Sequence, residues 1–269
     1  MAENALPENC PEPFIALAER LADTARGIVT GYFRRPLDVE RKADESPVTA
    51  ADREAETAMR ALIADSFPEH GVVGEEHGTE HPEADYVWVI DPLDGTKRFI
   101  TGHAQFGCLI ALLYQGIPIL GVIDMPVMEE RWLGAKGRPS MHSGRNALGE
   151  ARVRPCPDIG EAVLYATTPH MFPGADFPAF ERVRQAVRQP MYGSECYAYG
   201  LLASGFVDLV IESTMGVYDY MAQVPVIEGA GGVITDWRGA PLGLGSDGRV
   251  LAAGDARCHA VALALLAAG

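Results

Sequence analysis

The chain has 269 residues, of which 37 are acidic and 22 are basic, giving a formal net charge of −15 at pH 7. This charge argues against nucleic acid or an anionic membrane as the main partner, because both require a basic face. Hydrophobic residues make up 48% and charged residues 22% of the chain, which is typical of a soluble globular protein. The length favours one compact unit with two lobes, predicted at residues 1–155 and 156–269.

The cysteines and the N-terminal sequence bear on the cellular compartment. The five cysteines are odd in number and include no C-x-x-C pair, which fits a reducing compartment. The first residues lack a basic region followed by an apolar one, and no apolar run approaches the roughly 18 residues of a membrane-spanning helix. We therefore expect a cytoplasmic protein without a membrane partner.

Two helices are predicted near the start of the chain. Residues 14–32 place apolar side chains at helical spacing, which predicts an amphipathic helix. A polar loop through Lys42 and Asp44 follows, and Thr49 then has the features of a helix N-cap. Asp52, three residues later, completes the pattern of a capping box at the start of the second helix.

A change to β-structure is predicted further along. The apolar run that begins at Tyr86 predicts a strand that ends directly in the turn-rich sequence 91–96. Residues 106–114 and 117–124 predict the two strands of a hairpin, and Trp132 marks a further strand. The carboxylates of Asp91 and Asp94 are therefore expected in the loop that follows this strand.

The second half of the chain alternates between strand and helix patterns, which predicts a smaller α/β lobe. Strands are predicted at 162–166, 207–212 and 250–253, and helices at 177–188, 195–204 and 256–267. The apolar spacing after Asp219 is helical, but Pro225 removes a backbone donor. That helix is therefore expected to be kinked or to start late.

Acidic residues occur where the predicted structure changes type, which is where function tends to be carried. They are Asp52 at a helix start, Glu75 and Glu76 in a glycine-flanked loop, Asp91 and Asp94 after a strand, and Asp219 after a strand and a turn. Each of them taken singly is consistent with a solvated cap or turn residue. The set as a whole indicates a site instead.

The segment 88–96, W-V-I-D-P-L-D-G-T, carries the sharpest of these signals. The fixed φ of Pro92 holds the turn so that Asp91 and Asp94 face the same side. Two carboxylates and a backbone carbonyl suit a hard cation, and N–H groups at a helix start suit a phosphate oxygen. A β-turn with an aspartate cap is the alternative; the site is favoured because the same nine residues satisfy both demands.

Three blocks of sequence resemble the inositol monophosphatase superfamily. They are G-E-E at 74–76, D-P-L-D-G-T at 91–96, and Y-D-Y-M-A with E-G-A-G-G between 218 and 232. They occur in the expected order over nearly the whole chain. The resemblance implies an α+β or α/β fold, the layered αβαβα sandwich of the inositol monophosphatase and fructose bisphosphatase type, usually as a homodimer. It also implies a Mg²⁺-dependent phosphatase acting on a small phosphorylated substrate by in-line attack of an activated water.

The resemblance further implies two or three Mg²⁺ ions per active site. Glu75, Asp91 and the carbonyl of Leu93 would bind the first ion. Asp91, Asp94 and Asp219 would bind the second, and Glu75 would bind a third through bridging water. Hard oxygen ligands without histidine or thiolate favour Mg²⁺ over zinc.

The other roles implied by the resemblance concern catalysis and the substrate. Asp52 and Thr96 would orient the attacking water, with Glu75 completing the catalytic group. Gly95 and Thr96 would hold the phosphate. The implied substrate-binding residues are Asp94, Gly95, Thr96, Glu195, Glu212 and Asp219.

Three features resemble the histidinol-phosphate phosphatase branch of the superfamily. They are the K and F-I-T-G within 94–102, Glu195 where inositol phosphatases have a small residue, and P-V-I-E-G-A-G-G at 225–232. An amino-alcohol phosphate carries a cation, which a carboxylate near the leaving group would recognise. The branch usually has Asp rather than Glu at position 195, and Arg98 replaces its usual Ser or Asn.

Histidinol phosphate is therefore the expected substrate, with a role in histidine biosynthesis. The alternatives are an inositol or sugar monophosphatase of broad specificity and a non-catalytic regulatory protein on the same fold. The complete set of metal carboxylates counts against the regulatory protein. At residue level, Glu195 would alternatively be a helix N-terminal acid favoured by the helix dipole, and Glu212 a turn acid at a strand end.

Overall fold

The computed structural model describes residues 6–36, 39–41 and 47–268. The predicted polar loop through Lys42 and Asp44 lies outside these residues. Among the described residues, no helix is both long enough and apolar enough to cross a membrane.

The described residues form eight α-helices and fifteen strands. The helices are α1 (Glu12–Tyr32), α2 (Ala50–Ser66), α3 (Thr96–Ile100), α4 (Asp176–Ala186), α5 (Tyr197–Ala203), α6 (Val217–Tyr220), α7 (Gln223–Gly229) and α8 (Ala256–Ala267). The strands are β1 (Val39–Arg41), β2 (Pro47–Thr49), β3 (Gly71–Gly74), β4 (Gly78–Glu80), β5 (Tyr86–Asp94), β6 (Gly107–Tyr114), β7 (Ile117–Met125), β8 (Glu130–Ala135), β9 (Met141–Gly144), β10 (Gly149–Glu150), β11 (Val163–Ala166), β12 (Gln189–Tyr192), β13 (Leu209–Glu212), β14 (Val233–Thr235) and β15 (Val250–Ala253).

The larger sheet has eight strands in the order β10-β9-β8-β7-β6-β5-β3-β4. Its neighbouring strands are antiparallel except β3 and β5, which are parallel. The predicted hairpin is confirmed as β6 and β7, with Tyr114 opposite Ile117, and the strand predicted at Trp132 is confirmed as β8. Because β5 and β6 are buried along almost their whole length, this sheet needs cover on both faces.

Helices α1 and α2 cover one face of the larger sheet. Leu21 of α1 and Met59 of α2 pack in one core with Ile90 of β5 and Ile110 of β6. All four side chains are fully buried. Burial of each such side chain contributes about 1.5–3 kcal/mol to the free energy of unfolding, so the apolar stripes of the two helices hold them on the sheet.

Helices α5 and α7 cover the opposite face. Tyr199 of α5 and Ile227 of α7 share a second core with Trp132 of β8. The backbone of α7 touches the sheet directly, because a Cβ on Gly134 would lie only 2.2 Å from the Pro225 carbonyl oxygen. Position 134 therefore requires glycine.

The smaller sheet has five strands in the order β12-β11-β13-β15-β14. Val210 and Ala252 face the core shared with α5 and α7, whereas Leu209 and Leu251 face a third core beneath α4 and α8. The layers therefore run helix, large sheet, helix, small sheet, helix. The predicted αβαβα sandwich is confirmed.

Sequence periodicity missed several short strands, namely β1 to β4, β9, β10, β12 and β14. Each has four residues or fewer, so its sequence carries only a weak alternation signal, whereas the equally short β11, β13 and β15 were recognised from apolar runs in an alternating strand and helix pattern. The strands of the larger sheet end by residue 150 and those of the smaller sheet begin at residue 163. The division into lobes of 1–155 and 156–269 stays a prediction.

The helix predicted at 195–204 begins later, at Tyr197. Ser194 and Glu195 have φ values of 98° and 45°, in the left-handed region that a right-handed helix does not use. Glu195 therefore lies in the turn before α5 and not in the first position of a helix.

The segment after Asp219 agrees with the prediction of a late helix start. Helix α7 begins at Gln223, which puts Pro225 in its first turn, where a backbone N–H has no acceptor within the helix. Asp219 itself lies in the short helix α6. The proline therefore costs the helix no hydrogen bond.

Candidate metal centre and active site

Three aspartates from distant parts of the chain meet at one point. Asp91, Asp94 and Asp219 each bring one carboxylate oxygen to within 4.8 Å of the other two. In a regular strand, residues three apart point to opposite faces. The register of β5 against β6 shifts between Asp91 and Asp94, and this irregularity lets both carboxylates reach the same side.

Local hydrogen bonds fix the two carboxylates at the end of β5. The Leu93 N–H donates to Asp91 Oδ1 at 2.9 Å, closing a turn around Pro92. Proline is tolerated here because the strand pairing is already interrupted. Asp94 Oδ2 accepts a hydrogen bond from the Cys196 N–H at 2.8 Å, which ties this carboxylate to the turn before α5.

Asp219 is held by the turn that leads into α7. Its Oδ2 accepts a hydrogen bond from the Gly216 N–H at 2.6 Å, as the third residue of a helix does when it caps its own N-terminus. Gln223 Nε2 donates to the Asp219 carbonyl at 3.1 Å. Because Gln223 is fully buried, this contact fixes α6 against the first turn of α7.

Burial and like charges both disfavour ionisation of these aspartates. Burial raises the pKa of Asp91 well above its ordinary value, and the charges of Glu75, Asp94 and Asp219 raise it further. Burial also raises the pKa of Asp219, with Asp94 and Glu75 adding to the effect, and it raises the pKa of Asp94. A divalent cation at this point would offset the repulsion.

The donor set fits a hard divalent cation. The cluster offers carboxylate oxygens, and no histidine or cysteine belongs to it in the part of the chain that the structure describes. Such oxygens are the ligands of Mg²⁺ and Ca²⁺. Gln223 lines a cavity beside Asp94 and Asp219, and its buried amide oxygen has no hydrogen-bond partner among the described residues, so that oxygen is a candidate acceptor for an ordered water or an ion.

Glu75 and Glu76 lie in the tight connection between β3 and β4. The Glu75 N–H donates to the carbonyl of Ile90 on β5 at 3.3 Å, and Glu75 lines a cavity together with Asp94 and Asp219. Its charge contributes to the raised pKa of Asp91. The structure therefore brings Glu75 to the aspartate cluster.

Asp52 and Thr96, the two residues predicted to orient water, are hydrogen-bonded to each other. Asp52 is buried, and its Oδ2 accepts from the N–H and the hydroxyl of Thr49 at 2.9 and 2.5 Å. Thr96 Oγ1 lies 3.2 Å from Asp52 Oδ1 and 3.2 Å from the Leu93 carbonyl. The capping box predicted at Thr49 is confirmed, and it fixes the carboxylate that faces Thr96.

A cavity of about 230 Å³ opens beside the aspartates. It is lined by Glu75, Asp94, Gly95, Thr96, Lys97, Thr167, Met171, Glu195, Cys196, Tyr199, Glu212, Thr214, Met215, Asp219 and Gln223. Gly95 has φ 85°, so a left-handed turn leads from β5 into α3 and glycine fits it best. Its small size and the polar groups among a largely apolar lining suit a small phosphorylated molecule.

Glu212 lies fully buried at the end of β13 and borders the cavity. It accepts hydrogen bonds from the N–H and hydroxyl of Thr167 at 3.1 and 2.5 Å, and from the Tyr199 hydroxyl at 3.0 Å. Burial raises the pKa of Glu212 to about 7. The sequence singled out Glu212 but neither of its partners, which lie on other elements and carry no local signal.

Glu195 borders the cavity and is paired with a base. Arg98 Nε lies 3.1 Å from each of its carboxylate oxygens, and the Glu195 side chain is only 12% exposed. Burial raises the pKa of Glu195, and the charge of Asp94 adds to this, whereas Arg98 lowers it. The sequence indicated a positive charge at Arg98 but not this ion pair.

The fold and the acidic cavity agree with the comparisons to known proteins. A profile of the inositol monophosphatase family matches residues 11–268. The chain belongs to this family of phosphatases, which are generally metal-dependent and act on small phosphorylated substrates, and its own aspartate cluster agrees with a metal site.

Three relatives illustrate the range of the family around this chain. Bifunctional phosphatase IMPL2 of Arabidopsis thaliana, described as chloroplastic, is 49% identical over 93% of this chain and 74% of its own. A histidinol-phosphatase of Chlorobaculum parvum is 33% identical over 89% of this chain and 92% of its own. The structure of an inositol monophosphatase from Zymomonas mobilis superposes with a TM-score of 0.86 at 44% identity, covering 95% of this chain and 98% of its own.

Proposed function

We propose that this phosphatase is a Mg²⁺-dependent phosphomonoesterase that hydrolyses histidinol phosphate to histidinol and phosphate. The observation that carries the proposal is the largely buried carboxylate of Glu195, which borders the same cavity as Asp94 and Asp219. A carboxylate at that place suits a substrate whose alcohol carries an ammonium group. The histidinol-phosphatase of Chlorobaculum parvum among the relatives supports this choice.

The metal ligands in this proposal are Glu75, Asp91, Asp94, Asp219 and the Leu93 carbonyl. Two or three Mg²⁺ ions would supply charge neutralisation for the phosphoryl group and activation of water. Burial, together with the neighbouring carboxylates, raises the pKa of Asp91 and Asp219, and this supports a site built for a cation.

Asp52 and Thr96 would orient the attacking water. When the Thr96 hydroxyl donates to Asp52 Oδ1, its lone pairs remain to accept a hydrogen bond from a water in the cavity. That contact would aim the oxygen of the water at the phosphorus, opposite the leaving alcohol. The backbone at Gly95 and Thr96 borders the same space and would hold the phosphate oxygens through its N–H groups.

The Glu195 carboxylate can accept a hydrogen bond from a substrate ammonium group while it keeps its contact with Arg98. Arg98 approaches the two carboxylate oxygens through Nε, whereas a carboxylate has about four lone-pair sites. A charge-assisted contact of this kind contributes roughly 1.5–3 kcal/mol to substrate binding. Glu212, with Thr167 and Tyr199 holding it, would bind the other end of the alcohol.

A second candidate substrate is an inositol or sugar monophosphate. Arg98 already balances the charge of Glu195, so an uncharged alcohol would meet no unpaired carboxylate. The 44% identical inositol monophosphatase from Zymomonas mobilis supports this alternative. A non-catalytic regulatory role is the least favoured proposal, because binding a partner protein would not need the aspartate cluster.

A turnover screen separates these proposals. Purified protein would be incubated in Mg²⁺ with histidinol phosphate, an inositol monophosphate and a sugar phosphate, and kcat/KM would be compared from released phosphate. Preference for histidinol phosphate supports the proposal, and preference for either uncharged alcohol moves the assignment to the second candidate. No turnover of any of the three, despite Mg²⁺ binding, would favour the regulatory role.

We further propose that the protein acts in the cytoplasm as a homodimer in histidine biosynthesis. The family resemblance supports the dimer, and the cysteine pattern supports the reducing compartment. Light scattering of the purified protein tests the dimer, because a monomeric mass would contradict it.

A further inference from the structure

We propose that Glu56 and Arg60 of α2 are positioning residues that set the place of Glu75, and through it the cation affinity of the site. The inference rests on the proposed metal ligation. Neither residue belongs to the cavity or the cluster described above. Glu56 is completely buried and Arg60 is 9% exposed, although both are charged residues on a helix.

Glu56 holds the turn that follows Glu75. Its Oε2 accepts a hydrogen bond from the Glu76 N–H at 2.7 Å, and its Oε1 accepts one from the His77 N–H at 3.0 Å. A buried carboxylate with two backbone N–H groups is a fixed anchor for the chain that donates them. The connection between β3 and β4 is therefore fastened to α2.

Arg60 completes this anchor from the next turn of α2. Its Nε donates to Glu56 Oε1 at 2.8 Å, and its Nη2 donates to the Gly78 carbonyl at 2.5 Å. One guanidinium thus orients the Glu56 carboxylate and also holds the end of the turn. The planar, fixed donor geometry of arginine suits both contacts at once.

The backbone just before Glu75 packs closely against the side chains of Glu56 and Arg60. A Cβ on Gly74 would lie 2.1 Å from Glu56 Oε1 and 2.7 Å from Arg60 Nη2. On the other side, the Glu75 N–H is bonded to the Ile90 carbonyl, one residue before Asp91. The backbone of Glu75 is therefore clamped between α2 and β5, at a fixed distance from the aspartates.

Glu56→Gln tests the inference because it keeps the shape and removes the charge. The glutamine amide has one acceptor oxygen and one NH₂ group. The NH₂ group cannot accept a hydrogen bond, so it would face at least one of the N–H groups that now donate to the carboxylate. The turn should shift, and the affinity for a cation should fall by about 10- to 100-fold, as when groups that orient metal ligands are removed. The probe is Mn²⁺ alone, measured with the full-length protein by the EPR signal of free Mn²⁺.

Asp208→Asn is the matched control. Asp208 is also buried, pairs with Arg154 at 2.7 and 2.6 Å and accepts the Val163 N–H at 2.8 Å, but it lies at the start of β13, opposite the end that carries Glu212. The Asp208→Asn variant should lose thermal stability and keep the Mn²⁺ affinity of the unmodified protein. Arg60→Lys is the second variant. It keeps the positive charge and loses the planar set of guanidinium donors, so it should weaken Mn²⁺ binding. It tests the inference even if Glu56→Gln does not fold.

The outcomes separate this inference from the proposed function. Weaker Mn²⁺ binding in Glu56→Gln or Arg60→Lys but not in Asp208→Asn, with kcat recovering at high Mg²⁺, supports the positioning role. Unchanged Mn²⁺ affinity in the folded α2 variants, or equal weakening in Asp208→Asn, overturns it while leaving the proposed metal site intact. Absence of Mn²⁺ binding in the unmodified protein would overturn the metal site itself, and this inference with it.

Discussion

Arg98 donates from Nε toward both carboxylate oxygens of Glu195, at 3.1 Å each, beside the cavity of the candidate active site. The guanidinium passes over Gly193, where a Cβ would lie 2.1 Å from Arg98 Nη2, so glycine is needed there to admit it. Both partners are largely shielded from water. Under the proposed function, the balance between these two side chains would set the charge preferred in a substrate.

Glu195→Ala should discriminate between substrates. The kcat/KM for histidinol phosphate should fall by about 10- to 150-fold, because a charge-assisted contact of roughly 1.5–3 kcal/mol is lost. The kcat/KM for an uncharged-alcohol phosphate should stay level or rise, since binding that substrate no longer covers a carboxylate that it does not pair with. Steady-state kinetics on both substrates check this. Equal losses would mean that Glu195 only supports the turn before α5.

Arg98→Ala should shift specificity in the opposite direction. Glu195 would lose its partner, so its carboxylate should attract an ammonium more strongly and disfavour an uncharged alcohol. We expect the ratio of kcat/KM for histidinol phosphate to that for an inositol monophosphate to rise by roughly threefold or more. Arg145→Ala is the control, because Arg145 forms an exposed pair with Glu129. A ratio that falls in Arg98→Ala would contradict the proposed role of the pair.

Asp94→Asn should abolish most of the turnover and leave the fold intact. The amide oxygen can still accept the Cys196 N–H, but the charge that would hold a cation is gone. We expect kcat to fall by about 100-fold or more. The free energy of unfolding in EDTA should not fall, because one of several crowded charges is removed. Near-normal turnover in saturating Mg²⁺ would place the metal site elsewhere.

Removal of metal should abolish activity, and the choice of metal should matter. The cluster in the described residues holds aspartates only, and such oxygens favour Mg²⁺ over zinc. Exhaustive EDTA treatment followed by gel filtration should eliminate phosphate release, and added Mg²⁺ should restore it better than Zn²⁺. Full turnover by the chelated protein is the result that this mechanism does not allow.

Acid should weaken one helix cap that does not line the candidate active site. Asp255 accepts the Arg257 N–H at the start of α8 and the Cys156 N–H, and its hydrogen bond with Arg257 is the main cause that lowers its pKa to about 2. Because the pKa of Asp255 in the folded protein is below its ordinary value, the ionised carboxylate adds to the free energy of unfolding above pH 4. That contribution is lost as the pH falls toward 2.

Asp255→Asn removes the negative charge and keeps the helix cap, since Asn and Asp cap helices about equally well. The substitution therefore measures the contribution of the charge alone. Urea unfolding at pH 7 should show a loss of about 1 kcal/mol in the free energy of unfolding, kept small because Arg257 is largely exposed and screened. The difference from the unmodified protein should shrink between pH 4 and pH 2. A difference that is constant over this range would show that the charge contributes nothing.

Strong local patterns allowed much of the fold to be predicted. Helix α1 and the hairpin of β6 and β7 follow from apolar spacing that continues over many residues. The acidic residues at 75, 91, 94 and 219 were singled out because they lie where elements end. Their ligand and catalytic roles stay predictions, although the structure places three of the four side chains on one cavity and Asp91 close to all three.

The contacts that the sequence did not reveal are long-range ones. Arg98 and Glu195 are 97 positions apart, and Thr167 and Glu212 are 45 apart. Nothing in the local sequence selects one partner among the many charged or polar residues of the chain. Glu56 and Arg60 have the spacing of an ordinary solvent-exposed pair on a helix, and only the turn after β3 shows why they are buried.

The aspartate cluster also has a consequence for synthesis of the chain on the ribosome. Asp91 and Asp94 emerge early, but Asp219 emerges only after the first strands of the smaller sheet. Because domains begin to fold while the chain is still growing, the nascent protein contains two of the three carboxylates long before the third. A cation held by all three would therefore be fully bound only after Asp219 has been synthesised, and it would then join the end of β5 in the larger sheet to helix α6, which follows β13 of the smaller sheet.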